Sequence, residues 1–162
     1  MSGTVLDEID ERIVYELQRD ARNSTTTALA DELDVTATTV SNRISQLERD
    51  GIVTGYHATV DYGQAGFPLH VLLVCTAPIS ERATLAEQAL EIPGVVTVRE
   101  LMLGTENLRV EAVGRTNDDI TRVATALDEL GLQPSEEILV RNHYTRPLPF
   151  RTDDESYQAD ER

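Results

Sequence analysis

The sequence contains no lysine and no tryptophan, and it has only one cysteine and two phenylalanines. With a single cysteine, Cys75, disulfide bonds within the chain and thiolate metal sites are excluded by count, and we expect this thiol in a buried apolar run, LHVLLVC. No apolar run reaches the roughly 18 residues of a membrane helix, and no secretory signal is recognisable. We therefore expect a cytoplasmic protein without a membrane partner.

All the basic residues are arginines, 14 against 29 acidic residues, for a formal net charge of −15. Taken alone, this excess of acid disfavours a polyanionic partner. However, an acidic surface without lysine is also typical of proteins from organisms with molar intracellular salt. There the Debye length is about 3 Å, so repulsion from DNA is largely screened. The composition therefore indicates a halophilic protein and leaves DNA binding open.

Residues 25–51, TTTALADELDVTATTVSNRISQLERDG, predict two short helices joined by a tight turn. In the second helix Val40, Ile44 and Leu47 form one buried stripe. The 13 residues between Asp34 and Glu48 include no acid and one arginine. Hydroxyl, amide and arginine side chains on the outer face are the types that bond base edges and phosphates. The alternative is an ordinary solvated face. The pattern favours a helix-turn-helix with these candidate DNA contacts: Thr36, Thr38, Thr39, Asn42, Arg43, Gln46 and Arg49.

A further helix is predicted at about 7–20, with Asp7 as its N-cap, to complete a three-helix unit. Gly51 ends the third helix, and IVTGYHATVD (52–61) predicts extended structure, either a short wing or a connecting strand. We assign residues 1–61 to a DNA-binding domain and residues 62–66, YGQAG, to a hinge. Residues 151–162 are polar and acidic and predict a loosely held tail.

Residues 67–150 predict a ferredoxin-like βαββαβ plait, so the fold class is α+β. Strands are expected at 69–77, 95–103, 108–114 and 137–144. One helix is expected at 80–91, capped by Ser80 and with Leu85, Ala86, Ala89 and Leu90 inward, and another from Asn117. The first strand is apolar on both faces, since Leu73 and Cys75 alternate with Leu72 and Val74. Because helices cover only one face of a plait, we expect a second copy to cover the other, in an obligate dimer.

The runs LDEIDERIVYELQRDARNS, LADELDVTATTVSNRISQLERDGIVTGYHATVD and GVVTVRELMLGTENL resemble the Lrp/AsnC (leucine-responsive / asparagine regulator) family of transcription factors, over about residues 5–148. The resemblance implies a winged helix-turn-helix followed by a ferredoxin-like plait, and dimers that can assemble into tetramers or octamers. It also implies pseudo-palindromic double-stranded DNA sites, control of amino-acid or nitrogen metabolism, an amino-acid effector and, with the composition, a haloarchaeal source.

In that family a Gly-x-x-Asp loop follows the second plait strand. Here the corresponding residues are Gly104, Thr105 and Asn107, so the resemblance makes them the candidate effector contacts. The amide in place of the carboxylate removes a partner for a ligand's ammonium group. The alternative is a plain tight turn, which also favours glycine and asparagine.

Catalysis finds little support in the sequence, because no nucleophile has an adjacent base and no glycine-rich loop could cradle a phosphate. His70 and His143 are predicted on neighbouring strands, but no third metal ligand is evident. We therefore expect no enzyme activity, no cofactor and no metal. Two alternatives remain: a sirohaem-decarboxylase-like enzyme on the same fold, and a ligand sensor that does not bind DNA.

Overall fold

The computed structural model describes residues 6–102 and 104–150. The predicted tail at 151–162 and Leu103, the predicted end of a strand, lie outside the described residues. Among the described residues, 6–58 with 144–150 form one compact unit, and 59–143 form the other. The sequence analysis assigned residues 144–150 to the plait, whereas they group with the N-terminal unit. There the backbone N–H of Leu148 donates to Gln18 Oε1 (3.2 Å).

Three helices make up the N-terminal unit: α1 (Glu8–Asp20), α2 (Thr26–Leu33) and α3 (Ala37–Arg49). Each begins at a residue whose side chain accepts a backbone N–H, and these N-caps are Asp7, Thr25 and Thr36. The predicted N-cap of the first helix, Asp7, is therefore confirmed. Their apolar sides enclose one core with these fully or nearly buried residues: Ile13, Val14, Leu29, Ala30, Val40 and Leu47.

The segment after α3 differs from the prediction, because residues 52–61 form no strand. A strand requires hydrogen bonds to a neighbouring strand, and none of the described residues supplies one here. A hydrogen-bonded turn follows at the predicted hinge, where Phe67 N donates to Tyr62 O (2.8 Å). The wing is therefore not a β-structure within the single chain.

The C-terminal unit is the predicted antiparallel plait, with sheet order β2-β3-β1-β4. Its elements are β1 (Leu69–Thr76), α4 (Arg82–Leu90), β2 (Val95–Glu100), β3 (Leu108–Gly114), α5 (Asn117–Glu129) and β4 (Gln133–Leu139). Both helices pack on one face of the sheet, around a core that includes Leu73, Cys75, Leu108, Val110 and Leu127. Among the described residues, no helix has both the length and the apolar character that a membrane span needs.

Two details of α4 correct the prediction. Its N-cap is Glu81 rather than Ser80, and no side chain caps it. The reason is a turn, in which Glu81 N donates to Pro78 O (3.0 Å), that delays the first helical residue. Leu90 was expected inside but is 49% exposed. The helix ends there, and Ile92 packs against the core instead.

The last strand begins four residues earlier than predicted, at Gln133 instead of residue 137. Its first residues are polar and include Pro134, which the sequence analysis assigned to a loop. Because β4 is an edge strand, a proline without an N–H is tolerated there, and Pro134 pairs with Cys75 next to a shift in register. The strand ends at Leu139, so His143 lies beyond it.

Candidate nucleic-acid interface

The turn and caps around α3 hold one face of this helix against the core and leave the other in solvent. Asp34, which ends α2, has φ 52°, the left-handed conformation that reverses the chain between the two helices. Thr36 Oγ1 then accepts the N–H of Thr39 (3.1 Å). Val40 and Leu47 are buried against the other helices. The opposite face of α3 is therefore presented outward by local contacts.

The outward face carries a row of small polar side chains, which we call the polar stripe: Thr38, Ser41, Asn42 and Ser45. Thr38, Ser41 and Asn42 are exposed, and Ser45 is half-buried. Their spacing of three and four residues places them along one side of the helix. Within residues 6–102 and 104–150, none of the four side chains makes a hydrogen bond. Their donors and acceptors are therefore available to a ligand.

Three other predicted contacts are exposed or half-buried but are engaged with neighbours. Thr39 Oγ1 lies 2.8 Å from the capping Thr36 Oγ1. Gln46 Nε2 donates to Asp50 Oδ1, and Arg49 Nη2 donates to Gln46 Oε1, both at 2.7 Å. These bonds are between exposed groups and are exchangeable with water. Gln46 and Arg49 therefore remain reachable, although they are tethered to each other.

Arg43 is the predicted residue whose placement differs most from the prediction. Its Nη1 donates to Asp7 Oδ2 at 2.5 Å and lies 3.1 Å from Asp10 Oδ2, both carboxylates of α1. The sequence predicted Arg43 as a DNA contact. In the structure, its guanidinium is instead turned toward the neighbouring helix.

The predicted effector loop divides into an exposed and a buried part. Gly104 has φ 103°, which suits glycine in this turn, and Thr105 is exposed. Asn107 is only 3% exposed. Its Oδ1 accepts the N–H of Ala77 (2.9 Å), and its Nδ2 donates to the carbonyl of Ala77 (2.8 Å). Asn107 therefore joins two loops, and both of its polar atoms are occupied.

A separate cleft of about 460 Å³ opens at the other end of the plait, between the α4–β2 connection and α5. Its floor is apolar, and the guanidinium carbon of Arg115 lies 5.0 Å from the centre of the Phe67 ring at its rim.

His70 Nε2 lies 3.2 Å from Glu111 Oε2 on the sheet. In the part of the chain that the structure describes, no three histidine, cysteine or acidic side chains could hold a metal together.

Comparison with known proteins agrees with this geometry. The family described as "Winged helix-turn-helix DNA-binding" matches residues 6–54. A helix-turn-helix-type transcriptional regulator of Pyrococcus abyssi is 48% identical over 56 residues, which cover 35% of this chain and 36% of that protein. The chain spans less than half the length of this relative and of three others from Pyrococcus species, between 36% and 46%.

Solved structures extend the likeness to both units. The leucine response regulatory protein LrpA of Mycobacterium tuberculosis has a TM-score of 0.73 and 22% identity, over 86% of this chain and 95% of that one. A transcriptional regulator of Neisseria meningitidis in complex with L-Met has a TM-score of 0.72 and 20% identity, over 93% and 99%. At these identities the likeness shows the fold.

The fold and the outward face of α3 thus define a winged helix-turn-helix protein with a ferredoxin-like plait. The N-terminal unit is similar to winged helix-turn-helix DNA-binding proteins, and the whole chain shares its fold with solved structures of regulators such as LrpA. The three similar proteins quoted above are described as regulators, and none of them as a decarboxylase.

Proposed function

We propose that this chain is a cytoplasmic transcriptional regulator that binds specific double-stranded DNA sites through α3. The observation that carries the proposal is the polar stripe, which is exposed apart from the half-buried Ser45, makes no hydrogen bond with any described residue and lies within a run of 13 residues without an acid. In a chain with a net charge of −15, an ordinary solvated face would be expected to include acidic residues. The segment that must approach phosphates lacks them.

A second copy of the chain would cover the open face of the sheet. α4 and α5 lie on the other face, while the open face carries Leu72, Val74 and Ile138; Ile138 is 43% exposed, Leu72 is half-buried and Val74 is 2% exposed. The apolar side chains that stay exposed on this face need a cover, and a self-complementary one gives a two-fold dimer. Such a dimer would bring two α3 helices to successive major grooves of a pseudo-palindrome. Tetramers or octamers would extend this arrangement.

We infer an amino-acid effector from the Neisseria relative, whose structure contains L-Met. In this chain Gly104 and Thr105 remain free to contact it, while Asn107 serves the fold. Binding at this loop would shift the assembly and so the fit to DNA, in control of amino-acid or nitrogen metabolism. A thermal-shift screen of the standard amino acids tests this. A rise in melting temperature that is lost in Thr105→Val supports effector binding at this loop. Absence of a shift with every amino acid contradicts an amino-acid effector.

Asn42→Ala should relax sequence preference without disturbing the fold. An amide bonds adenine through two hydrogen bonds, and its loss should reduce discrimination at one base pair by about 1–3 kcal/mol. Competition binding with singly substituted DNA sites measures this. Gln88→Ala, which removes an exposed amide from α4 in the other unit, is the control. If Asn42→Ala retains full discrimination at every base pair, Asn42 does not read DNA.

DNA affinity should depend only weakly on salt for a protein of this class. If Arg49 of α3 and Arg22, in the turn after α1, both contact phosphate, they would give about four contacts per dimer, and both side chains are exposed. The slope of log affinity against log KCl concentration should then be about −4 or shallower. Fluorescence anisotropy across a KCl series measures it. A slope near −10 would mean that many more cations reach phosphates than this account allows.

A further inference from the structure

Arg43 is the only cation on α3 between Asp34 and Glu48, yet it is bound to the helix behind it. Its Nη1 lies 2.5 Å from Asp7 Oδ2 and 3.2 and 3.1 Å from Asp10 Oδ1 and Oδ2. The Arg43 side chain is 36% exposed and that of Asp10 only 15%. This half-buried pairing is less screened by solvent than a pair on the open surface.

Asp7 connects the start of α1 to α3. Its Oδ1 accepts the N–H of Asp10 (2.9 Å) and so caps α1, while its Oδ2 binds Arg43. The backbone N–H of Asp10 and, after it, the hydrogen bond from Arg43 hold the pKa of the Asp7 carboxyl below its usual value. The hydrogen bond to Asp7 and, after it, the negative charge of Asp10 raise the pKa of Arg43. The pair is therefore charged at any pH at which the protein would bind DNA.

The position of Arg43 on the helix explains this contact. At 100° per residue it lies beside the buried stripe, three residues after Val40 and four before Leu47, whereas Asn42 lies on the opposite side. Apolar packing against α1 resists separation of the helices but is not directional. An ion pair with hydrogen bonds to two carboxylates is directional. It therefore restricts the rotation of α3 about its own axis.

We propose that Arg43 is a positioning residue, which fixes the orientation of α3 through Asp7 and Asp10 and does not read a base. Base reading then falls on the neutral hydroxyl and amide groups of the polar stripe. This inference rests on the proposed function and specifies how that interface works. A guanine contact uses two neighbouring N–H donors of the guanidinium, and the pair formed by the two terminal nitrogens is not available because Nη1 is bound to Asp7 and Asp10.

The competing explanation is that Asp7 and Asp10 mimic phosphate and hold Arg43 away from DNA until binding releases it. The two explanations predict opposite changes in DNA affinity when one of the carboxylates is neutralised. Removing one negative charge near the interface should by itself strengthen DNA binding. If the carboxylates position the helix, neutralising them should weaken binding despite the gain in charge. Asp7→Asn is well suited to this test, because asparagine caps a helix as well as aspartate does.

The experiment measures affinity for a selected DNA site and base preference at each position of that site, using the full chain. The variants are Asp7→Asn, Asp10→Asn, Arg43→Gln and Arg43→Lys, with Asp31→Asn and Arg19→Gln as charge-matched controls elsewhere in the three-helix unit. We expect the two aspartate variants and Arg43→Gln to lose about three- to tenfold in affinity with unchanged base preference. Arg43→Lys should recover part of the loss.

A double variant, Asp10→Asn with Arg43→Gln, should bind no more weakly than Arg43→Gln alone, because the two groups act through one contact. Circular dichroism and thermal unfolding confirm that each variant folds. Tighter binding by Asp7→Asn or Asp10→Asn would overturn the proposal, as would altered preference at one base pair in Arg43→Gln. Absence of any base preference in the unmodified protein would instead contradict the proposed function.

Discussion

Replacing Asn107 with aspartate should destabilise the plait by about 3 kcal/mol, although the two side chains have nearly the same shape. Asn107 both accepts from and donates to the backbone of Ala77. A carboxylate keeps the first bond but cannot donate, and it would place a negative charge against the carbonyl of Ala77 in a site that is 3% exposed. The loss of this hydrogen bond and the cost of burying the charge both lower the free energy of unfolding.

Urea denaturation in a fixed KCl concentration measures this loss. Asn42→Asp is the matched control, because Asn42 is exposed and makes no hydrogen bond with any described residue. The control should change the free energy of unfolding by less than about 0.5 kcal/mol. If Asn107→Asp were equally mild, the two bonds to Ala77 would not hold the loops together, and an effector role for Asn107 would regain support.

Ile138→Asp should convert the proposed dimer to monomers. Ile138 pairs with Leu72 across the open face of the sheet and is 43% exposed in the single chain, so the monomer should tolerate the change. In the proposed dimer the new carboxylate would be buried without a partner, at a cost of about 3–5 kcal/mol per site. Two-fold symmetry places the charge at the interface twice. Val74→Asp is less informative, since Val74 is already 2% exposed within one chain.

Sedimentation velocity of the variant and the unmodified protein measures the change in mass. Ile79→Asp is the control, because Ile79 is 83% exposed in the loop between β1 and α4. The open face also carries the Glu111 carboxylate, which accepts from Arg99 Nη1 (2.6 Å), so salt and pH must be kept constant. An Ile138→Asp protein that sediments as the unmodified dimer would show that this face is not the contact.

Local signals in the sequence were sufficient for most of the fold. Asp7 and Thr36 act as N-caps, and the buried stripe of α3 lies where its spacing predicts. These features depend on residues within one or two turns of each other. The predicted start of β4 was wrong, because an edge strand tolerates a proline such as Pro134. Where the pairing begins is decided by the neighbouring strand β1 and not by the residues of β4 alone.

The roles of Arg43 and Asn107 could not be derived in the same way. Arg43 bonds to residues 33 and 36 positions away, and Asn107 to a residue 30 positions away. A side chain at the border of a helix face can turn either toward solvent or toward a neighbouring helix, and the sequence of that helix alone does not decide which. The polar stripe was only partly predicted, because Thr38 and Asn42 were among the candidate DNA contacts whereas Ser41 and Ser45 were not.

The central claim is that α3 reads specific DNA, and selection of bound sequences from a random double-stranded library by the full chain in molar KCl tests it most directly. The account predicts enrichment of a short inverted repeat with half-site centres about 10 base pairs apart. That repeat should lose definition at one position in each half when Asn42 is replaced by alanine. Recovery of no preferred sequence across the KCl range would contradict the account.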